Sequence, residues 1–239
     1  MTTGMIGGIG LTHLRVYNQK PGPDGMMAGC AHVHGLTEES YFCIAGEGAI
    51  ELHDLEHGFR SISLKKGDYV QFPPNTLHRS VSTDAIEVLA VMGNSGLPER
   101  GDARIYFGED ADADPDVYQR LKRLVASGLD GALARRDASA LAYMQLIDLW
   151  DRDRDTYAKE LERFFAVHRA DLAARRPEFA DAVADGAARW AGLDAARLAA
   201  LPGVPDDRES VVSAEAGSRG VVYGMCGLLR QVDDLSSNP

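Results

Sequence analysis

Two short stretches of this chain gather side chains of the kind that hold a metal ion. The first is His32-Val33-His34, followed by Glu38 and Glu39. Residues two apart on a strand point to the same side, so His32 and His34 offer their imidazoles from one face. Cys30 shares that parity, and Tyr41 and Cys43 share the parity of Glu39 if the next strand is regular. The second stretch runs from Gly67 through Asp68-Tyr69-Val70-Gln71-Phe72 to Pro73-Pro74-Asn75-Thr76-Leu77-His78, where a Pro-Pro-Asn turn delivers His78 to the start of a new strand. Three neutral imidazoles and one carboxylate make a mixed nitrogen and oxygen set. Such a set suits Fe(II), Mn(II), Ni(II), Co(II) or Zn(II), and leaves room for water or substrate in an octahedral shell.

The elements that must position these residues change character near residue 108. From Leu11 to about Phe107 the chain reads as short strands, among them Tyr41-Phe42-Cys43-Ile44, Ala49-Ile50-Glu51-Leu52-His53 and Ile86-Glu87-Val88-Leu89-Ala90-Val91. Turn signals such as Gly46-Glu47-Gly48, His57-Gly58 and Lys66-Gly67-Asp68 separate them, which argues for an all-β sandwich or barrel. An acidic stretch of small residues then ends in Asp114-Pro115, an N-cap followed by a proline suited to the first helical position.

Beyond it the chain is rich in Ala, Leu and Arg, which are strong helix formers. Tyr157, Leu161, Phe164, Phe165, His168 and Leu172 form an amphipathic stripe. Phe179, Val183, Ala187 and Trp190 repeat the pattern after Pro177, and Leu193 to Leu201 reads as a shorter helix stopped by Pro202-Gly203. The tail from Gly220 to Arg230 reads more like a strand, able to return to the barrel. The expected organisation is a β module over 1–108 and a helical module over 109–239.

At the two metal-ligand stretches the sequence resembles the cupin superfamily. The first cupin motif is His-x-His, three or four residues, Glu, six residues, Gly; here it is met by His32, His34, Glu39 and Gly46. The Glu-to-Gly spacing selects Glu39 over Glu38 as the ligand. The second motif is Gly, five residues, Pro-x-Gly, two residues, His, three residues, Asn. It is met by Gly67, Pro73 and His78, with Asn75 in place of the second Gly and Ser82 in place of the last Asn. Asn tolerates the left-handed conformation that such a turn often requires. Ser82 keeps a polar group on the His78 face. The leading Gly of the first motif is displaced.

The resemblance covers residues 10 to 107. It implies a small antiparallel β-barrel, a double-stranded β-helix, with one divalent metal inside one mouth held by His32, His34, Glu39 and His78. Cupins include dioxygenases, decarboxylases, sugar isomerases and epimerases, lyases, storage proteins and ligand-sensing domains, so the fold does not select a reaction. Cupins are often dimers, and a homodimer is expected on resemblance alone.

Composition narrows the partners. Among 239 residues, 25 Lys and Arg face 36 Asp and Glu, a formal net charge of -11 that would repel a polyanion and argues against nucleic acid. Three well-separated Cys make no disulfide framework and fit a reducing cytosol. The stretch MTTGMIGGIG does not read as a signal peptide, and no run approaches the roughly 18 to 20 apolar residues of a spanning helix. The expectation is a cytoplasmic protein with no membrane partner.

The remaining polar residues are weighed against plainer roles. Tyr41 and Cys30 are the candidates for steering a substrate, set against core packing for Tyr41 and a small buried hydrophobe for Cys30. Glu38 has the wrong strand parity for ligation. His53 and His57 flank a hairpin and are expected at the surface; Glu51, Asp54 and Glu56 are expected to be solvated charge. Arg79 should point away from the His78 face, toward the outer surface or an interface. His168 reads as a satisfied core histidine, and Arg104, Arg135 and Arg136 would meet an anionic substrate only if the helices cover the barrel mouth.

Two classes of function follow. The leading one is a metal-dependent enzyme acting on a small organic molecule, with an Fe(II) dioxygenase-type oxidoreductase preferred. A metal-dependent isomerase or epimerase of a hydroxy-carbonyl or sugar-like compound is the alternative within that class. The other class is a non-catalytic cupin that binds a metal or metabolite.

Overall fold

The computed structural model describes residues 5–94, 96–201, 212–232 and 235–237. The helix stop expected at Pro202-Gly203 lies outside them. The β module contributes β1 (Gly10–Val16), β2 (Met27–Ala28), β3 (His32–His34), β4 (Glu39–Asp54), β5 (Gly58–Lys65), β6 (Tyr69–Phe72), β7 (Leu77–Met92) and β8 (Ala103–Ile105). Its frame is the long pair β4 and β7, antiparallel from Glu39↔Met92 to His53↔Leu77.

Register shifts between Cys43 and Ala45 and between Glu47 and Gly48 bend that pair, so the first part of β4 also pairs β6 and the second part β5. Gly46 sits in the bend with φ of 69°, and a Cβ there would lie 2.1 Å from the carbonyl oxygen of Asp84. Only glycine fits. The strands form an antiparallel sheet along an open path rather than a closed ring. Its inner face carries Leu14, Tyr41, Ile50, Leu52, Phe72 and Val88, all buried together.

The helices are α1 (Glu109–Ala113), α2 (Pro115–Lys122), α3 (Gly128–Arg152), α4 (Arg154–Ala174), α5 (Arg176–Val183) and α6 (Arg189–Ala199). As the sequence predicts, Asp114 caps α2 by accepting from the backbone N–H groups of Asp116 and Val117. The short α1 before it has no comparable signal. The whole stripe from Tyr157 to Leu172 is buried in α4. The next stripe fails after Phe179: within α5 the buried face runs through Ala182 and leaves Val183 46% exposed, and a π-helical turn at Ala184–Ala188, with Gly186 at ψ of -127°, then interrupts the pattern.

Helices α3 and α4 cover the outer face of the sheet, where Val33 and Leu77 pack with Ala142, Tyr143, Leu146 and Phe164. The tail supplies β9 (Val212–Ser213), β10 (Val222–Tyr223), β11 (Gly227–Gln231) and β12 (Ser236–Ser237). β11 lies antiparallel to β1 from Thr12↔Gln231 to Val16↔Gly227.

This covering corrects three expectations. His53 is not at the surface but fully buried, its ring nitrogens 2.8 Å from the hydroxyls of Tyr157 and Tyr143. Arg79 does face away from His78, yet α3 lies over it. It is 2% exposed, pairs with Asp24 at 2.5 Å and stands over the Tyr143 ring. Glu51, 3.8 Å from Arg79, is half-buried rather than solvated, and burial raises its carboxyl above the usual range. A hairpin end read alone looks exposed; the helices that bury it come from about 90 to 100 residues further along the chain.

Candidate metal centre

The site is assembled by strand register. β3 meets β7 at a single pair, His32↔His78, which sets the two rings 4.1 Å apart between centroids. Strand alternation puts His34 on the same face, its centroid 5.4 Å from that of His32. Glu39 opens β4 and reaches across, with Oε2 3.1 Å from Nε2 of His78 and 3.7 Å from Nε2 of His34. The four candidate ligand atoms lie within 4.8 Å of one another, and all four residues are buried. Between these residues, Val33 and Leu77 point the other way, into the helices.

Each imidazole is held by its Nδ1. That atom lies 3.0 Å from the carbonyl oxygen of Cys30 for His32, 2.8 Å from Oδ1 of Asp102 for His34 and 3.1 Å from the carbonyl oxygen of Thr76 for His78. These oxygens only accept, so Nδ1 carries the proton and Nε2 turns a lone pair inward. Nε2 of His78 and Oε2 of Glu39 are buried without any hydrogen-bond partner. Orphaned polar atoms in a dry interior are unfavourable, and a divalent cation among them would satisfy the whole set. The residues present therefore fit a single divalent metal ion.

The electrostatics agree. Burial alone would raise the Glu39 carboxyl, but positive charge on the surrounding imidazoles in their protonated form, His78 first and then His34 and His32, holds it down at about 2. Burial, with its two neighbouring histidines, pulls His32 well below the usual range and keeps it neutral. Burial would also lower His34, yet Asp102 and Glu39 outweigh it and raise the ring. Two carboxylates around one imidazole mark a place where positive charge is favoured.

The motif departures have clear outcomes. Asn75 takes the left-handed conformation at φ of 62°, and its N–H donates to the carbonyl oxygen of His34 at 2.8 Å. Ser82 turns its hydroxyl to the backbone N–H of Ile86 at 3.1 Å, bracing the bend instead of the site. Glu38 is exposed.

Tyr41 is buried beside the cluster, with its hydroxyl 3.6 Å from Sγ of Cys226. The thiol of Cys30 packs with Ile105, Phe107 and Tyr118 and is not among the residues lining the cavity over the cluster. Two neighbours escaped sequence reasoning. Asp102, fully buried, orients His34 from 68 residues away, and Cys226 places Sγ 3.5 Å from Nε2 of His32 from 194 residues away. Neither has a local spacing signal. A cavity of about 460 Å³ opens over His32, His34 and Glu39, walled by β1, by the tail around Met225 and Leu229, and by Lys122 and Arg135.

No family model matches the chain, and no curated protein matches it. Solved structures similar to it do exist. A cupin protein from Bacteroides fragilis is 22% identical, with a TM-score of 0.28, over 37% of this chain and 68% of that one. These structural neighbours are cupins. A double-stranded β-helix protein from Klebsiella pneumoniae is 19% identical, with a TM-score of 0.28, over 41% of this chain and 71% of that one. A variant of the oxalate decarboxylase from Bacillus subtilis is 20% identical, with a TM-score of 0.27, over 35% of this chain and only 20% of that one. Each similarity covers less than half of this chain.

Proposed function

We propose that the protein is a metal-dependent enzyme acting on a small organic molecule, with His32, His34, Glu39 and His78 holding one divalent transition metal. The observation that carries this reading is the convergence of three Nε2 lone pairs and one carboxylate, each imidazole fixed from behind. A structural polar patch would pair its own donors and acceptors; this one points acceptors at each other. In keeping with it, residues 1–108 serve as the β module that carries the ligands and 109–239 as a helical module that backs it and returns a C-terminal strand to its sheet.

Within that class we favour a dioxygenase-type oxidoreductase using Fe(II). A bound divalent ion supplies Lewis acidity and, as iron, one-electron chemistry with O₂. The chain's own residues do the rest. Asp102 and the carbonyls of Cys30 and Thr76 fix the rings, so little reorganisation accompanies loading. Leu14, Ala90, Ile105 and Leu229 in the cavity wall exclude water from the reacting end. Cys226 brings a thiol to the cavity wall as a group that steers a substrate, and the Tyr41 hydroxyl stands behind it at 3.6 Å. An isomerase would need a proton-transferring base close to the cluster, and the cavity's remaining carboxylate, Glu99, is exposed at the rim.

Among the described residues no helix is long and apolar enough to cross a membrane. A homodimer is consistent with the exposed cross-strand neighbours Phe42 and Tyr69 on β4 and β6. The function is tested by anaerobic reconstitution with Fe(II), Mn(II), Ni(II) or Zn(II), followed by O₂-uptake screening with small metabolites. Fe(II)-dependent O₂ consumption is expected; turnover that proceeds without O₂ would overturn the oxidoreductase reading.

A further inference from the structure

Two residues in the cavity wall come from helices, and both are cations: Lys122 at the end of α2 and Arg135 in α3. Arg135 is 5% exposed. Its Nη2 donates to the carbonyl oxygens of Gly224 and Tyr223 at 2.7 and 3.2 Å, while its Nε is buried with no partner. Among the described residues no carboxylate lies within ion-pair reach of Arg135 or of Lys122. A guanidinium withdrawn from water is unfavourable unless an anion meets it.

The cavity's own acids do not serve. Glu39 belongs to the metal cluster, and Glu99 at the rim accepts from Nε2 of Gln231 at 3.3 Å. The other buried arginines differ. Arg104 is paired with Asp112 and Asp171, and Arg136 with Asp137. A second cavity of about 300 Å³ shares Gly101, Ala103 and Lys122 with the first and adds Arg104 and Arg175 together with the Asp112 and Asp171 carboxylates that pair with Arg104. Partial burial, then the charges of Arg175, Arg104 and Arg135, bring the Lys122 ammonium below its ordinary value. Asp171 opposes these cations only in part, and it is itself paired with Arg104.

We propose that the cavity takes a small organic oxyanion, a carboxylate or a phosphate ester, whose charged group is held by Arg135 and Lys122 while the rest of it faces His32, His34 and Glu39. What happens at that far end rests on the metal-dependent reading above; the recognition of charge does not. The planar guanidinium suits two oxygens at once, and the ammonium adds a movable point charge. In this arrangement the barrel supplies the metal ligands and the helical module supplies selectivity. The plainer role for Arg135, pinning the tail by its carbonyls, predicts no dependence on ligand charge.

The test titrates inorganic phosphate and succinate into the full-length protein at low salt by calorimetry, metal-free and Zn(II)-loaded, with neutral succinamide as control. Wild type should bind at least one anion without metal and should not bind succinamide; which anion binds tells phosphate ester from carboxylate. Arg135→Gln should weaken binding roughly tenfold to hundredfold, and Arg135→Lys less. Lys122→Gln, on an exposed side chain, should weaken it several-fold with an unchanged thermal midpoint, and it carries the test should Arg135→Gln fail to fold.

The proposal is overturned if wild type binds neither anion, or if both substitutions leave binding unchanged. Binding that needs Zn(II) and ignores both substitutions also overturns it, because the metal alone then holds the anion. The metal reading fails separately, by metal content alone.

Discussion

Two histidines stand side by side on the paired strands β4 and β7 and have opposite meanings. His53 lies across from Leu77, and His78 lies across from Leu52, so adjacent registers face opposite sides of the sheet. Both are buried, at 0% and 1% exposure. His53 has a tyrosine hydroxyl at each ring nitrogen, whereas His78 has a partner only at Nδ1 and turns Nε2 toward Glu39. Burial therefore does not separate a structural histidine from a ligand. The unanswered lone pair does.

The comparison breaks most visibly at His78. His78→Ala should lower metal content from an expected one ion per chain toward none, and should abolish the rise in thermal midpoint that metal is expected to give in wild type. Metal analysis with melting curves reads both, and an unchanged stoichiometry at unchanged affinity would sink the site.

His53→Ala should do the reverse. It strands the hydroxyls of Tyr143 and Tyr157 and opens a void, which costs about 2 to 4 kcal/mol in denaturant unfolding, with metal stoichiometry intact. Loss of metal in this variant would erase the distinction.

A third test concerns protons. Burial lowers His53 to about 3, below its unfolded value, so between these pH values the unfolded chain binds a proton that the folded one refuses. Its contribution is fully present above about pH 6.5 and is lost as pH falls toward 3, at up to about 1.4 kcal/mol per pH unit. Unfolding of the metal-free protein compared with His53→Gln isolates it. Parallel pH profiles would mean that His53 is not held neutral.

The ligand set was legible because it is local: strand alternation fixes His32 with His34, and the motif spacing picks Glu39 and His78. The stripe of α4 was legible for the same reason, since its period lies within one helix. Asp102 and Cys226 were not legible as site residues, because only the folded sheet brings them to the cluster, and Arg135 was legible only as one of three arginines whose place depended on where the helices lie. His53 and Arg79 were misplaced because strand parity tells which face a residue takes but not what later covers that face. Val183 was misplaced because α5 buries its neighbour Ala182 instead, and no residue period announces the π-helical turn that follows.

One further consequence lies in Val33 and Leu77, the apolar residues next to the ligands in sequence. Because they anchor in α3 and α4 beside the proposed ligands, an ion held there would couple helix docking to cation affinity, and coupling is reciprocal. Whatever free energy firm helix packing lends to the ion, the ion returns to the helices. Loading the centre should thus slow amide exchange in α3 and α4, far from any ligand atom, and the helical layer becomes a lever by which a distant event at its surface could tune the metal.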